Sequence, residues 1–81
     1  MKTKFTVVLM RPDYRADPYG QDCYVARVEA VNAYRAREEA QKEAWKYDNK
    51  DLGETSGFSD DYHSLLVFEG HQEVKLFGFQ A

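Results

Sequence analysis

Alanines stand at positions 33, 36, 40 and 44 of this chain, and Tyr47 continues the row. At 3.6 residues per turn these positions fall in one narrow stripe. Arg35, Glu38, Glu39, Lys42 and Lys46 take up much of the remaining circumference. The pattern predicts an amphipathic helix over 32–47 whose buried face is built of small side chains. Small side chains let a helix axis come close to a flat partner, and the natural flat partner is a sheet. Asn32 is the expected N-cap, its side-chain oxygen placed to accept from a free backbone N–H. Arg35 stands where Glu or Gln would close a capping box. Tyr34, Gln41 and Trp45 share a second azimuth about 100° round from the alanines, on the flank of the stripe.

Four strand patterns surround this helix. Lys4 to Met10 has Phe5, Val7 and Leu9 on one side and Thr6, Val8 and Met10 on the other. Both sides are largely apolar, which places this strand in the middle of the sheet. Pro12 cannot donate to a ladder and ends it. Cys23 to Ala30 alternates cleanly, with Tyr24, Ala26, Val28 and Ala30 facing in. Tyr62 to Glu69 reads as a third strand and Glu73 to Phe79 as a fourth, with Gly70-His71 forming a two-residue turn of type II′ between them. Residues 11–22 read as a loop, because Pro12, Pro18 and Gly20 break regular structure and Asp13, Asp17 and Asp22 favour turns. Residues 48–61 read as a second, polar loop anchored by Leu52 and Phe58.

This order predicts a single α+β domain over 1–81: a ββαββ chain forming a four-stranded antiparallel sheet, order 2-1-3-4, with one helix packed on one face. Eighty-one residues lie near the size where one core barely suffices, so five Phe, six Tyr and one Trp must supply much of the buried area. The helix covers one sheet face. The other would carry Val8, Met10, Val25 and a set drawn from Leu65, Val67, Phe77 and Phe79. An apolar open face on such a domain implies a partner surface or a dimer interface.

The net charge of −3 opposes binding to nucleic acid, which normally demands a basic face. No basic-aromatic RNP run is present to offset it. The charge is uneven. Lys2, Lys4, Arg11 and Arg15 face only Asp13 near the start, whereas Asp48, Asp51, Glu54, Asp60 and Asp61 face only Lys50 later on. Tyr14 and Tyr19 beside arginines have the composition of an interface patch. Tyr14, Arg15, Tyr19, Asp60 and Asp61 are therefore the candidate partner-binding residues.

Catalytic and metal chemistry find little purchase. Cys23 with His63 or His71 is the one thiol–imidazole combination, and no local signature accompanies it. Two histidines without clustered cysteines do not make a zinc site. Asp48 and Gly53 have the spacing of a calcium loop, but Lys50 and Leu52 occupy ligand positions and Ser59 stands where the bidentate Glu belongs. No catalytic residue, metal or cofactor is expected. A lone cysteine excludes an intramolecular disulfide and fits a reducing, cytoplasmic setting. The apolar run Phe5–Met10 is too short to span a membrane.

Arg11-Pro12-Asp13-Tyr14 after the first strand, Tyr19-Gly20-Gln21-Asp22 before the second, and Glu69-Gly70-His71 at the last turn resemble small proteins carried by phages and integrative elements. The format is similar to that of small acidic inhibitors of host defence, anti-CRISPR proteins among them. The resemblance implies a non-enzymatic protein that inhibits or modulates a host protein or complex, such as a CRISPR effector, by direct contact. The alternative is a homodimer pairing its open sheet faces.

Overall fold

A computed structural model describes residues 2–20, 22–53, 55 and 57–71, with the backbone alone at 17–19. The elements run β1 (Thr3–Met10), α1 (Asp13–Tyr19), β2 (Cys23–Ala30), α2 (Ala33–Leu52), a single 3-10 turn (Ser59–Asp61) and β3 (His63–Glu69). Among the described residues the sheet is three-stranded and antiparallel, in the order β2-β1-β3, with β1 central as its two apolar faces require. The expected fourth strand, Glu73–Phe79, lies outside the described residues. No helix among them is long and apolar enough to cross a membrane.

β1 and β2 pair without interruption from Thr3–Ala30 to Met10–Cys23. This register sets Phe5 opposite Val28 and Val7 opposite Ala26, so their side chains share one face. That face meets α2: Phe5, Val7, Leu9, Ala26, Val28 and Ala30 form one buried cluster with Ala36, Ala40, Ala44 and Tyr62. The three α2 alanines, Ala36, Ala40 and Ala44, are wholly inaccessible. Asn32 caps the helix as expected, accepting from the Arg35 N–H at 2.9 Å.

The stripe departs from expectation at both ends. Ala33 is exposed, and Tyr47 stands 49% exposed. The residue that extends the buried row is Asp48, four beyond Ala44 and fully buried. The helix therefore runs past Tyr47 for more than another turn and closes at Gly53, whose φ of 70° is the left-handed cap that glycine adopts without strain. Residues 48–52, expected in a loop, are helical. Their polar composition masked a turn whose buried face is satisfied by charge pairing.

Residues 11–22 also contain structure that turn-forming residues concealed. α1 begins after Pro12, whose carbonyl accepts from Arg15 and Ala16 N–H at 2.9 and 3.0 Å. Asp13 sits in the first turn, where the helix dipole favours a carboxylate. Gly20 closes it in the left-handed region, donating to Ala16 O at 2.8 Å. Seven residues cannot form a stable helix alone. Arg15 holds it in place, fully buried against α2.

β3 carries a bulge. Val8 pairs with Leu66 but Leu9 pairs with Ser64, so Leu65 is the extra residue. The bulge breaks the alternation that would put His63, Leu65 and Val67 on one face. Val67 packs on the helix side, and His63 lies opposite Met10 on the other. The β3 residues on the face away from α2 are thus Leu66 and Phe68 rather than Leu65 and Val67. That face is not open throughout: Val8 is 2% exposed and Thr6 is buried, while Met10 and Leu66 are exposed. The far side of the expected turn lies outside the described residues, and Gly70 has a positive φ of 88°. Its N–H donates to Lys4 O at 2.7 Å and its carbonyl accepts from Thr6 Oγ1 at 2.7 Å, while His71 Nε2 lies 3.2 Å from Val28 O.

Candidate protein-binding groove

The end of the sheet that carries Met10 is built on a buried polar network. Asp48 is its centre. Arg11 approaches it side-on, with Nε 3.1 Å from Oδ2 and Nη2 3.3 Å from Oδ1. Tyr62 donates its hydroxyl to Oδ2 at 2.6 Å. The third guanidinium nitrogen, Nη1, donates to Cys23 O at 3.0 Å. A fork that satisfies both carboxylate oxygens and a strand carbonyl offsets the desolvation of a buried charge pair. At the next residue of α2, Asn49 Oδ1 accepts from Arg15 Nη2. The start of α1, the start of β2, the last turns of α2 and the segment before β3 are thereby joined. Burial, then the hydrogen bond to Asp48, pushes the Tyr62 hydroxyl well above the usual tyrosine range.

Outside this network Tyr14 donates to Asp61 Oδ2 at 2.5 Å, tying α1 to the 3-10 turn. Asp61 also accepts from the Phe58 N–H at 3.3 Å. Trp45 Nε1 donates to Gly57 O at 3.2 Å, and Gln41 Nε2 to Tyr62 O at 2.7 Å. The flank of α2 that carries Gln41 and Trp45 therefore holds residues 57–62 in place, a role the sequence left open for Trp45. Phe58, expected as an anchor, is 74% exposed. Trp45 and the buried Tyr62 anchor the segment instead.

Between α1, the 3-10 turn and the start of β3 lies a groove of about 400 Å³ lined by Met10, Arg11, Pro12, Asp13, Tyr14, Asp60, Asp61 and His63. Its charge is one-sided. Asp13, Asp60 and Asp61 are carboxylates, while the guanidinium of Arg11 is turned inward onto Asp48. Burial and the Asp61 hydrogen bond raise the Tyr14 hydroxyl pKa, so it stays protonated as the donor.

Of the five candidate residues, Tyr14, Asp60 and Asp61 come together on this groove. Arg15 does not. It is fully buried and belongs to the scaffold, because the α1 helix turns it inward toward Asn49. Tyr19 ends α1, and its side chain lies outside the described residues. Met10, Asp13 and His63 join the groove without a sequence signal beyond their polarity or position. Asp48 had one: it continues the 36-40-44 row by one more step of four.

Among the described residues no group of three or more His, Cys, Asp and Glu side chains is arranged to hold a metal ion. Cys23 is buried, and burial followed by the neighbouring Asp22 charge pushes its thiol up, away from the thiolate that nucleophilic chemistry needs. No family model, curated protein or solved structure matches this chain.

Proposed function

We propose that this chain is a non-enzymatic protein-binding module that presents the acidic groove to a basic surface of a larger protein. The observation that supports this reading is the Tyr14–Asp61 hydrogen bond. It fixes α1 against the 3-10 turn so that Asp13, Asp60 and Asp61 line one groove beside exposed Met10. A fixed set of like charges around an amphipathic tyrosine steers a complementary partner and orients it on docking. The resemblance to small phage and mobile-element proteins makes a host protein or complex the first class of partner, with inhibition or modulation by contact as the mode and the cytoplasm as the setting. Pairing through the open sheet face is the weaker reading, since Val8 at its centre is 2% exposed.

The test is site-directed photo-crosslinking. A photoreactive residue at position 60 is expected to trap a protein with a basic contact surface, and Asp13→Lys on the same chain is expected to abolish the adduct. A probe at position 34, on exposed Tyr34 of α2, is expected to trap nothing in common. Adducts from position 34 that match those from position 60, or adducts insensitive to Asp13→Lys, would overturn the groove as the contact surface.

A further inference from the structure

A seven-residue helix and a single 3-10 turn are both too short to hold their own shape, so α1 and Ser59–Asp61 depend on neighbours. Each serves the other. One carboxylate oxygen, Asp61 Oδ2, accepts the Phe58 N–H at 3.3 Å, which closes the turn, and the Tyr14 hydroxyl at 2.5 Å, which holds α1. Gly57 seats that hydroxyl: a Cβ there would overlap it and the end of the ring. Opening the turn therefore withdraws Asp61 from Tyr14, and lifting α1 withdraws Tyr14 from Asp61. The chain on either side is pinned to the rest of the molecule. Arg11 N–H donates to Asp22 O at 2.5 Å, closing the base of α1 onto the β1–β2 ladder. Trp45 holds Gly57 O before the turn, and Asp48 and Gln41 hold Tyr62 after it. The apolar cluster between α2 and the sheet is built from β1, β2, α2 and Tyr62. α1 and the turn can rise from this body without parting those contacts. Arg15 leaves with α1, and its guanidinium and Asn49 both return to water.

We infer that α1 and residues 58–61 open and close as one cooperative unit on a body that stays folded, with the Tyr14–Asp61 hydrogen bond as its latch. Asp13 and Tyr14 line the acidic groove from one member of the unit, and Asp60 and Asp61 line it from the other. The groove is therefore formed only in the closed state. A ligand that needs both walls binds that state alone and shifts the population toward it. Control of docking in this way rests on the groove being the contact surface, whereas the opening belongs to the chain alone and shows without a partner.

The experiment is native-state hydrogen exchange on the full chain, read residue by residue by NMR. Ala16 N–H, bonded to Pro12 O, reports on α1, and Asp61 N–H, bonded to Phe58 O, reports on the turn. Ala40 N–H, in the middle of α2, reports on the body. Ala16 and Asp61 are expected to share one opening equilibrium and to be roughly tenfold or more less protected than Ala40. Gly20→Ala acts on α1 directly, because φ at Gly20 is 67° and a side chain strains the cap there. It is expected to lower protection about tenfold at Ala16 and, through the latch, by a similar factor at Asp61, with Ala40 unchanged. In a Tyr14→Phe background, which keeps the ring and removes the donor, Gly20→Ala is expected to lower protection at Ala16 and leave Asp61 where it was. Asp61 unmoved by Gly20→Ala in the unsubstituted chain, Asp61 still following Ala16 in the Tyr14→Phe background, or Ala40 losing protection with them would each overturn the proposal.

Discussion

Arg11 and Asp48 meet side-on inside the protein, with nitrogen–oxygen distances of 3.1 and 3.3 Å and side chains 5% and 0% exposed. They are thirty-seven positions apart in the chain. Their contact converts two stretches with the composition of loops into the end of one helix and the lead-in to another. Removing one partner leaves the other as an uncompensated buried charge. Arg11→Met and Asp48→Leu are each expected to destabilise the fold by about 3–5 kcal/mol. The double variant is expected to lose less than the sum of the two. Urea denaturation of the four chains measures this coupling.

Tyr62 ties the same carboxylate to the strand that follows. Tyr62→Phe keeps the ring in the core and deletes one hydrogen bond to a charged group, an expected loss of about 1.5–3 kcal/mol. Burial raises the hydroxyl pKa of Tyr62, and it pushes that of Tyr24 up to about 12, helped by the nearby Glu43 and Asp48 charges. The folded chain therefore keeps protons that the unfolded chain releases above about pH 10. The stability these tyrosines contribute is fully present below that pH and is lost as pH rises through the folded values. Thermal melts between pH 9 and 12 are expected to show a falling midpoint (a window set by the tyrosine range), with a shallower fall in Tyr62→Phe.

Gly57 and Gly53 separate two reasons for glycine. Both have left-handed φ, 72° and 70°. A Cβ at Gly53 would meet open space, whereas one at Gly57 would overlap the Tyr14 hydroxyl and ring. Gly53→Ala is expected to lose about 1–2 kcal/mol from backbone strain alone. Gly57→Ala should lose more, because Tyr14 must also leave Asp61. Trp45 reports on the difference: its indole bonds to Gly57 O, so its fluorescence is expected to shift in Gly57→Ala and not in Gly53→Ala.

The alanine stripe sets how closely α2 approaches the sheet. Ala40 is fully buried and Ala33 is exposed. Ala40→Leu drives a larger side chain into the contact with β1 and β2 and is expected to destabilise by about 1–3 kcal/mol. Ala33→Leu is expected to fall within about 0.5 kcal/mol of the unsubstituted chain. Chemical denaturation of the two variants compares them directly.

The periodic elements were legible from residues alone, because local pattern and burial agree there. β2 occupies Cys23–Ala30 as read, β1 differs by a single residue, and Asn32 caps α2. The α+β class and the central position of β1 followed from the same patterns. The candidate site was only partly legible. Tyr14, Asp60 and Asp61 do converge, but Arg15, chosen for its charge beside tyrosines, points inward. Composition reports that an arginine is present and not which way it faces. The β3 bulge was likewise invisible, since an extra residue at Leu65 leaves no mark in an apolar run.

Local chemistry by itself determined the α2 stripe, its N-cap and the alternation of β1 and β2, all of which depend on neighbours within a turn or a strand. Only the tertiary structure decided α1, the last turn of α2 and the acidic groove. Those three rest on Asp48, a carboxylate that is tolerated in the core because Arg11 and Tyr62 reach it from distant parts of the chain. Without them a buried charge there would be prohibitive, and the polar composition around it would make the loop that it resembles.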